Sequence, residues 1–348
     1  MKTNITHITE TNKAQIFEEA AMTLRDGGLV AFPTETVYGI GANALDPVVV
    51  AKIYEAKGRP SDNPLIVHIG DSSDVSKYVK SIPQAAYKLM DAFWPGPLTM
   101  VFEKNDLIPM LITGGLNTVA IRVPSHPVAR GIIKAAALPI AAPSANISGK
   151  PSPTIAKHVI EDLSGRVDMI VDGGDANIGL ESTVLDMTQK VPMILRPGGI
   201  TQVMLEAVIG PVNFDVAIKD LDSKEVPKAP GMKYRHYAPK GHLKVYKGKG
   251  SQVIERINHE IAEASSQGLK AGVIAAREDA DKYLCETVLI IGSKHDPDEI
   301  AANLFRMLRD MDDHKVDVIY TRAYSEEAIG TATMNRLLKA AGNQLIEI

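Results

Sequence analysis

Apolar residues in the first half of the chain fall into short runs separated by longer stretches with helical spacing. Leu29–Phe32 is apolar throughout and is followed by Pro33, which predicts a buried strand. Gln15–Arg25 has helical spacing and ends at Gly27, which predicts a helix before that strand. Further strands are predicted at 65–69, 98–102, 119–123, 140–142, 169–171 and 182–185, and further helices at 47–56 and 85–93. This alternation predicts an α/β domain whose sheet is covered by helices, with no strand order implied.

The same rhythm returns after a proline-rich interruption. Pro211–Leu243 contains four prolines and two glycines, which predicts a linker rather than a long regular element. Strands are predicted beyond it at 243–246, 271–275, 288–291 and 316–320, and helices at 253–267, 297–312 and 334–341. We therefore expect a first domain at 1–210, a linker at 211–242 and a smaller Rossmann-like parallel α/β domain at 243–348.

Composition is compatible with two domains and sets limits on location. The 348 residues are 45% hydrophobic, enough for more than one core. No apolar run reaches membrane-spanning length and Met1–Lys13 is polar, so we expect a cytoplasmic protein that does not engage a membrane. The single cysteine, Cys285, excludes an internal disulfide and a zinc-type spacing, and we expect it in or near the second core.

Charge does not favour a protein that tracks nucleic acid. Residues 1–210 carry 18 Lys and Arg against 21 Asp and Glu, and residues 243–348 carry 14 against 17. A protein that follows a phosphate backbone usually shows a marked excess of cations. The local exception is Val226–His242, which has four Lys or Arg residues and no acidic residue.

Two polar loops have the composition of a phosphate cradle. Lys57-Gly58-Arg59 and Ser144-Ala145-Asn146 place cations, a hydroxyl and an amide beside Gly or Pro. Such groups bind phosphate oxygens, and the chain contains no Walker-type loop that would do so instead. Taken alone, Lys57 and Arg59 would fit a solvated helix C-terminus, where the helix dipole favours cations, as well as they fit a phosphate cradle.

A glycine pattern near the first strand resembles a dinucleotide loop only superficially. Six residues separate Phe32 from the pattern Gly39-x-Gly41-x-x-Ala44, and the next helix starts near Pro47. A dinucleotide fingerprint has its glycines directly between strand and helix. We expect instead that Thr34, Thr36 and Tyr38 line a polar pocket at the end of the strand, and a packed turn is the alternative.

Two polar side chains interrupt predicted strands. Arg122 lies among apolar neighbours, where an unpaired guanidinium would be costly to bury, so a carboxylate should meet it. That carboxylate could belong to a ligand or to an internal acid such as Glu181. His68, also in an apolar strand, would on its own fit a hydrogen-bonded core histidine.

Several segments of the chain, taken in their order, resemble those of a known family. The matching segments are Pro33–Gly39, Lys57–Pro60, Asn63–Leu65, His68, Trp94–Thr99, Arg122–Pro124, Pro143–Gly149, Glu181–Val184, Arg196–Gly198 and Pro230–Pro239. Together they strongly resemble the YrdC-type threonylcarbamoyl-AMP synthases in their two-domain form. The resemblance implies a twisted YrdC-like domain with a mixed sheet, followed by the linker and the second domain.

The resemblance also implies a reaction. L-threonine, bicarbonate or CO2, and ATP would give threonylcarbamoyl-adenylate and pyrophosphate, and a separate tRNA threonylcarbamoyltransferase would use the product for threonylcarbamoyladenosine. Catalysis should rest on positioning and on neutralising phosphate charge. Mg2+ is expected with ATP and without a protein ligand, because no carboxylate cage is visible in the sequence.

Site residues follow from the same resemblance. Lys57 and Arg59 would be catalytic. The expected ATP-binding residues are Lys57, Arg59, Asn63, Thr118, Ser144, Asn146, Ser152, Arg196 and Tyr237. The expected threonine-binding residues are Thr36, His68, Arg122, Ser182 and, through its backbone, Ala142, where some relatives carry a hydroxyl residue. The linker, with Lys233, Arg235 and His236, is expected to cover the nucleotide; the alternative leaves it in solvent.

Two other functions stay open. An RNA-binding factor with a YrdC-like fold would need stronger tRNA contact than the acidic first domain favours, so we expect at most weak direct contact. A carbamoyltransferase of the hydrogenase-maturation kind carries cysteine-rich metal modules, whereas this chain has one cysteine.

Overall fold

The computed structural model describes residues 1–215 and 237–348, which form two compact units. The first unit consists of Met1–Ser148 and 152–215, and the second of Gly149–Pro151 and 237–348. Most of the predicted linker at 211–242 lies outside the described residues, so the predicted domain boundaries stay a prediction.

The first unit is built on one mixed sheet. Its strands are β1 (Asn4–His7), β2 (Val30–Phe32), β3 (Gly39–Asn43), β4 (Ile66–His68), β5 (Leu98–Glu103), β6 (Thr118–Arg122), β7 (Ile140–Ala141), β8 (Met169–Asp172), β9 (Thr183–Asp186), β10 (Met193–Arg196) and β11 (Asn213–Phe214). Their order is β1-β8-β2-β3-β7-β4-β6-β5-β9-β10-β11. β4 is parallel to β6, whereas β7 is antiparallel to both β3 and β4. The predicted mixed sheet is confirmed.

Helices cover this sheet. They are α1 (Lys13–Arg25), α2 (Pro47–Lys57), α3 (Gln84–Phe93), α4 (Pro127–Ala136), α5 (Ala156–Leu163) and α6 (Gln202–Ile209). The start of α2 is fixed by local capping: the Asp46 side chain accepts hydrogen bonds from the N–H groups of Val48 and Val49, and Pro47 is the first helical residue. The helix ends at Gly58, whose φ of +60° suits a residue without a Cβ.

Side-chain alternation gives the sheet two different faces. Leu65, Val67, Met100, Ile121 and Leu185 lie on the face that packs into the main core. The intervening residues lie on the other face, where a smaller apolar cluster contains Ile66, Val101, Ala120, Val184 and Leu195. The same alternation places several polar residues on this second face, namely His68, Thr99, Thr118, Arg122 and Ser182.

The segment with the misleading glycine pattern is a strand. β3 runs antiparallel to β2, with Phe32 opposite Gly39 and Val30 opposite Gly41. A Cβ on Gly41 would lie only 2.6 Å from an atom of the Phe32 ring, so close packing requires glycine there. The alternative of a packed turn at these glycines was therefore wrong, and the rejection of a dinucleotide loop was right.

The second unit has the predicted parallel α/β form. Its strands are β12 (His242–Lys247), β13 (Ala271–Ala276), β14 (Thr287–Gly292), β15 (Val318–Arg322) and β16 (Leu345–Glu347), and its helices are α7 (Gly250–Ser266), α8 (Pro297–Asp313) and α9 (Gly330–Ala340). The order β14-β13-β15-β12-β16 is parallel throughout. Cys285 packs against this core, and its thiol donates to the Ala271 carbonyl at 3.3 Å. Across both described ranges, no helix has the length and apolarity needed to span a membrane.

Candidate active site

The second face of the first sheet brings a buried arginine and a buried histidine together. His68 ends β4 and Arg122 ends β6, and the two residues are direct neighbours in the parallel register. Both are 3% exposed. Strand pairing therefore fixes the spacing of these two side chains, which lie 54 positions apart in the sequence.

Three contacts hold the Arg122 guanidinium. Nε donates to the Gly96 carbonyl at 3.3 Å, Nη1 donates to Oγ1 of Thr36 at 2.9 Å, and Nη2 lies 2.8 Å from Oε1 of Glu35. The Glu35 contact is an ion pair without hydrogen-bond alignment, since neither of its atoms has a hydrogen-bond partner. The internal acid beside Arg122 is thus Glu35, whereas Glu181 accepts a hydrogen bond from Ser152 at 2.7 Å.

The Glu35–Arg122 pair sets the charge of this region. Burial alone would raise the pKa of Glu35, but the positive charge of Arg122 outweighs it and holds the pKa below its ordinary value. Glu35 is therefore ionised and neutralises the guanidinium. Nη1 and Nη2 of Arg122 each carry two N–H groups, and at least one on each nitrogen is not used in these contacts. The guanidinium can therefore bind a second carboxylate.

His68 is kept neutral by its surroundings. Burial, followed by the positive charge of Arg122, lowers the pKa of His68 to about 3. Its Nδ1 lies 3.3 Å from the Ile66 carbonyl. A neutral imidazole offers one donor and one acceptor, which suits an amine or hydroxyl better than an anion.

Hydroxyl groups surround the same region. Thr34 and Thr36 share a hydrogen bond of 2.8 Å between their Oγ1 atoms in the loop after β2. Ser182, just before β9, meets Thr99 Oγ1 at 2.7 Å, and Arg196 donates from Nη2 to Ser182 Oγ at 3.1 Å. Arg196 also donates from Nε to the Ser182 carbonyl at 3.0 Å. Arg196 therefore lies beside the hydroxyl cluster.

Lys57 is not the solvated helix end that its sequence alone would allow. It is 1% exposed, and its Nζ donates to the carbonyls of Ser144 and Asn146, the latter at 2.6 Å. The backbone N–H of Ser148 in turn donates to the Lys57 carbonyl at 2.8 Å. The lysine thus ties the end of α2 to the loop at 144–146, and the two predicted loops form one structure.

Arg59 differs from Lys57 in exposure. It is half-buried, and its Nη2 donates to the Pro64 carbonyl at 3.1 Å. Asn63 is buried beside it, and Arg59 Nη2 lies 3.4 Å from the Asn63 carbonyl. Thr118 is half-buried at the start of β6. Arg59 and Asn63 therefore lie together beside the end of α2.

The backbone connects the two groups of residues. Ser144 bridges to Gly39, and the Ala145 N–H donates to the Tyr38 carbonyl at 2.8 Å. The loop held by Lys57 therefore lies against the loop that carries Thr36 and so leads to Arg122. The Ala142 N–H is used by the Ile66 carbonyl at 3.0 Å, so only its carbonyl remains for the expected backbone contact.

Tyr237 belongs to the second unit. Its ring stacks on Phe305 with centroids 4.9 Å apart, and the Arg336 guanidinium lies 5.8 Å from the ring. Its expected role at ATP stays a prediction. Lys233, Arg235 and His236 of the expected linker cover lie outside the described residues.

Sequence reasoning missed three groups that orient the site: Glu35, Thr99 and the carbonyl of Gly96. Glu35 lies between Thr34 and Thr36, within a segment already singled out, so its charge was an available signal. Thr99 and Gly96 gave no comparable signal, because their contacts depend on strand pairing. Among the described residues, no group of three or more His, Cys, Asp or Glu side chains is arranged to hold a metal ion.

Comparisons with known proteins agree with this arrangement. The family model described as "Telomere recombination", of Sua5, YciO and YrdC proteins, matches residues 22–198, and "Threonylcarbamoyl-AMP synthase, C-terminal domain" matches residues 200–342. The threonylcarbamoyl-AMP synthase of Bacillus subtilis is 49% identical over 99% of this chain and 97% of its own length. That of Pyrococcus abyssi is 50% identical over 94% of this chain and 95% of its own.

A solved structure extends the similarity to three dimensions. The crystal structure of P. abyssi Sua5 complexed with L-threonine is 47% identical and matches with a TM-score of 0.94, covering 99% of this chain and 100% of that one. Both family models and the full-length relatives lead to the same assignment, which confirms the family expected from the ordered segments. The chain belongs to the Sua5/YrdC family of threonylcarbamoyl-AMP synthases.

Proposed function

We propose that this protein makes threonylcarbamoyl-adenylate from L-threonine, bicarbonate or CO2, and ATP, and releases pyrophosphate. The observation that carries the proposal is the buried, pre-oriented guanidinium of Arg122 beside a lysine-held loop of phosphate-cradle composition. One region thereby offers a site for an amino-acid carboxylate and a site for a triphosphate.

Threonine binds in the part of the site that contains Arg122. Its carboxylate pairs with the free N–H groups of the guanidinium, and Glu35 holds that guanidinium from its other side. Neutral His68 accepts a hydrogen bond from the amine, because protonation of this imidazole at neutral pH is strongly disfavoured. Thr36, which accepts a hydrogen bond from Arg122, and Ser182, which accepts one from Arg196, contact the amine and hydroxyl of threonine.

ATP binds along the cradle. Arg59, which is half-buried, is the more accessible cation for the triphosphate, while Lys57 supplies charge from beneath the loop at 144–146. Ser144 and Asn146, joined through Oγ and Oδ1 at 2.5 Å, face the phosphates, and Arg196 neutralises charge on the threonine side. Asn63, Thr118 and Ser152 lie nearer the nucleoside. ATP brings its Mg2+ as part of the substrate.

The chemistry follows from this positioning. The neutral threonine amine attacks CO2 and loses a proton to give a carbamate. A carbamate oxygen then attacks the α-phosphorus in line, and pyrophosphate leaves with its charge balanced by the cations of the cradle. The product is an activated carbamoyl donor that a separate tRNA threonylcarbamoyltransferase consumes in the cytoplasm, with at most weak direct contact between this protein and tRNA.

The test is pyrophosphate release from MgATP with threonine and bicarbonate omitted in turn. Release should require both compounds, and serine should replace threonine poorly because it lacks the methyl group. Pyrophosphate release that continues without threonine would overturn the proposal.

A further inference from the structure

The carboxyl edge of the second sheet has the topology of a ligand-binding crevice. From β13 the chain passes outward to β14, whereas from β15 it passes in the opposite direction, beyond β12, to β16. Right-handed crossovers in opposite directions place the following elements on opposite faces of the sheet. A crevice therefore opens at the carboxyl ends of β13 and β15, the position at which open parallel sheets bind ligands.

Several cations converge on one carboxylate at this crevice. The Asp279 carboxylate, 4% exposed, lies 2.6 Å from Lys282 Nζ, 3.0 Å from Arg322 Nη1 and 4.0 Å from Lys294 Nζ. Three cations thus share one carboxylate. Two of the nearby acids have other partners: Glu278 accepts from Ser293 and from the Lys294 N–H, and Glu299 pairs with Arg277.

The first turn of α7 lies against the same arginine. The turn Gly248-Lys249-Gly250 leads from β12 into this 17-residue helix, and the N-cap residue Lys249 makes no side-chain cap. A Cβ on Gly250 would lie 3.6 Å from Arg322 Nη1, so the guanidinium lies over the start of the helix. Helix N–H groups and the helix dipole favour an anion at such a position.

An unsatisfied hydroxyl independently indicates a ligand. Tyr283 is 5% exposed, and its hydroxyl is buried without a hydrogen-bond partner. Its ring packs in one cluster with Val253 and Ile257 of α7, and the charges of Arg322 and Asp279 act on the phenol. A buried hydroxyl without a partner costs free energy, which a ligand oxygen beside Arg322 would recover.

We propose that Arg322, the Tyr283 hydroxyl and the first-turn N–H groups of α7 form a second anion site, which binds the phosphate group of a small ligand. Lys249, Lys282 and Lys294 surround it with positive charge. The site lies wholly within the second unit and does not depend on the reaction proposed for the first.

Amide hydrogen exchange on the full-length protein tests this site locally. Inorganic phosphate, pyrophosphate and AMP are each titrated, and exchange is followed in peptides covering 248–254 and 277–284. Phosphate should slow exchange at the start of α7. If AMP slows exchange at a lower concentration than phosphate does, the site is assigned to nucleotides. If both act at the same concentration, the site is assigned to the free oxyanion.

Tyr283→Phe separates binding from folding. Because this hydroxyl has no protein partner, the variant should keep the melting temperature of the parent while phosphate affinity falls about tenfold. Arg322→Gln should abolish protection, and Lys270→Gln, an exposed cation at the amino end of β13, should retain it. The proposal would be overturned if phosphate gave no protection of residues 248–254 in the parent protein. It would also be overturned if Tyr283→Phe and Arg322→Gln were protected to the same extent as the parent.

Discussion

The Arg122 side chain shows how one residue can serve both folding and binding. Its charge is balanced by Glu35, its plane is fixed by Gly96 and Thr36, and its remaining donors are available to a ligand. A buried ion pair of this kind contributes less to stability than to orientation, since desolvation offsets most of the attraction. Glu35 is therefore expected to position Arg122 rather than to contact threonine.

A pair of variants separates these two roles. Arg122→Gln leaves Glu35 buried and uncompensated, so unfolding free energy should fall by about 3–5 kcal/mol. Adding Glu35→Gln removes that charge and should restore most of the stability without restoring threonine affinity. Calorimetric threonine titration of both proteins measures this, and a double variant that binds threonine like the parent would contradict the role given to Arg122.

His68 predicts a specific pH dependence of stability. Its folded pKa of about 3 lies below the ordinary value of 6.5, so between these values the unfolded state binds the extra proton. Stability from this residue is complete above pH 6.5 and is lost as pH falls. His68→Gln should therefore show a stability profile flatter by about 1.4 kcal/mol per pH unit below about pH 6.

Fluorescence of the single tryptophan measures this change in the first unit. Trp94 is buried and donates from Nε1 to the Leu98 carbonyl, so its emission reports unfolding of that unit. His259→Gln, on an exposed surface of α7, is the matched control. Parallel pH profiles for the parent and His68→Gln would show that His68 is not held neutral.

At the scale of elements, the end of α2 distinguishes two cations that are adjacent to the same glycine. Gly58 turns the chain with a φ of +60°, so that Lys57 is directed into the loop at 144–146 while Arg59 stays half-exposed. Lys57 is therefore part of the fold as well as of the proposed cradle, whereas we propose that Arg59 acts mainly as a ligand contact.

Substitutions at the two positions should differ accordingly. Lys57→Met removes the donor to two buried carbonyls and should lower both unfolding free energy, by about 2 kcal/mol, and turnover. Arg59→Gln should leave stability within about 0.5 kcal/mol of the parent and raise the KM for ATP at least tenfold. Equal stability losses in the two variants, by urea unfolding, would contradict this distinction.

The sequence predicted part of the elements, while β1, β3, β10, β11, α4, α5 and α6 were not predicted, although α4 carries a local signal in Pro127 at its first turn. The apolar runs that became β4, β5 and β6, and the capped start of α2, were predicted close to their observed bounds because burial and capping act over a few residues. β3 was missed because its glycines are explained by packing against Phe32, a contact between strands. The pairing of His68 with Arg122 was likewise not readable from spacing, since it depends on strand order.

At the scale of the whole molecule, the family and the α/β class of both units were predicted from the sequence. The contacts that connect the site residues were not. Lys57, Ser144, Gly39, Thr36 and Arg122 are linked through backbone and side-chain contacts that join four separate parts of the chain. We propose that the threonine carboxylate binds Arg122 at this connected site and that the amine stays free to become a carbamate.

That placement distinguishes two products of the reaction. If Arg122 holds the threonine carboxylate, only the carbamate can reach the α-phosphorus; if it does not, the carboxylate itself could be adenylated. Mass spectrometry of the adenylate formed from MgATP, L-threonine and 13C-bicarbonate tells these apart. The parent protein should give threonylcarbamoyl-adenylate that carries the 13C label, and the Arg122→Gln/Glu35→Gln variant should not. Unlabelled threonyl-adenylate from the parent protein would contradict it.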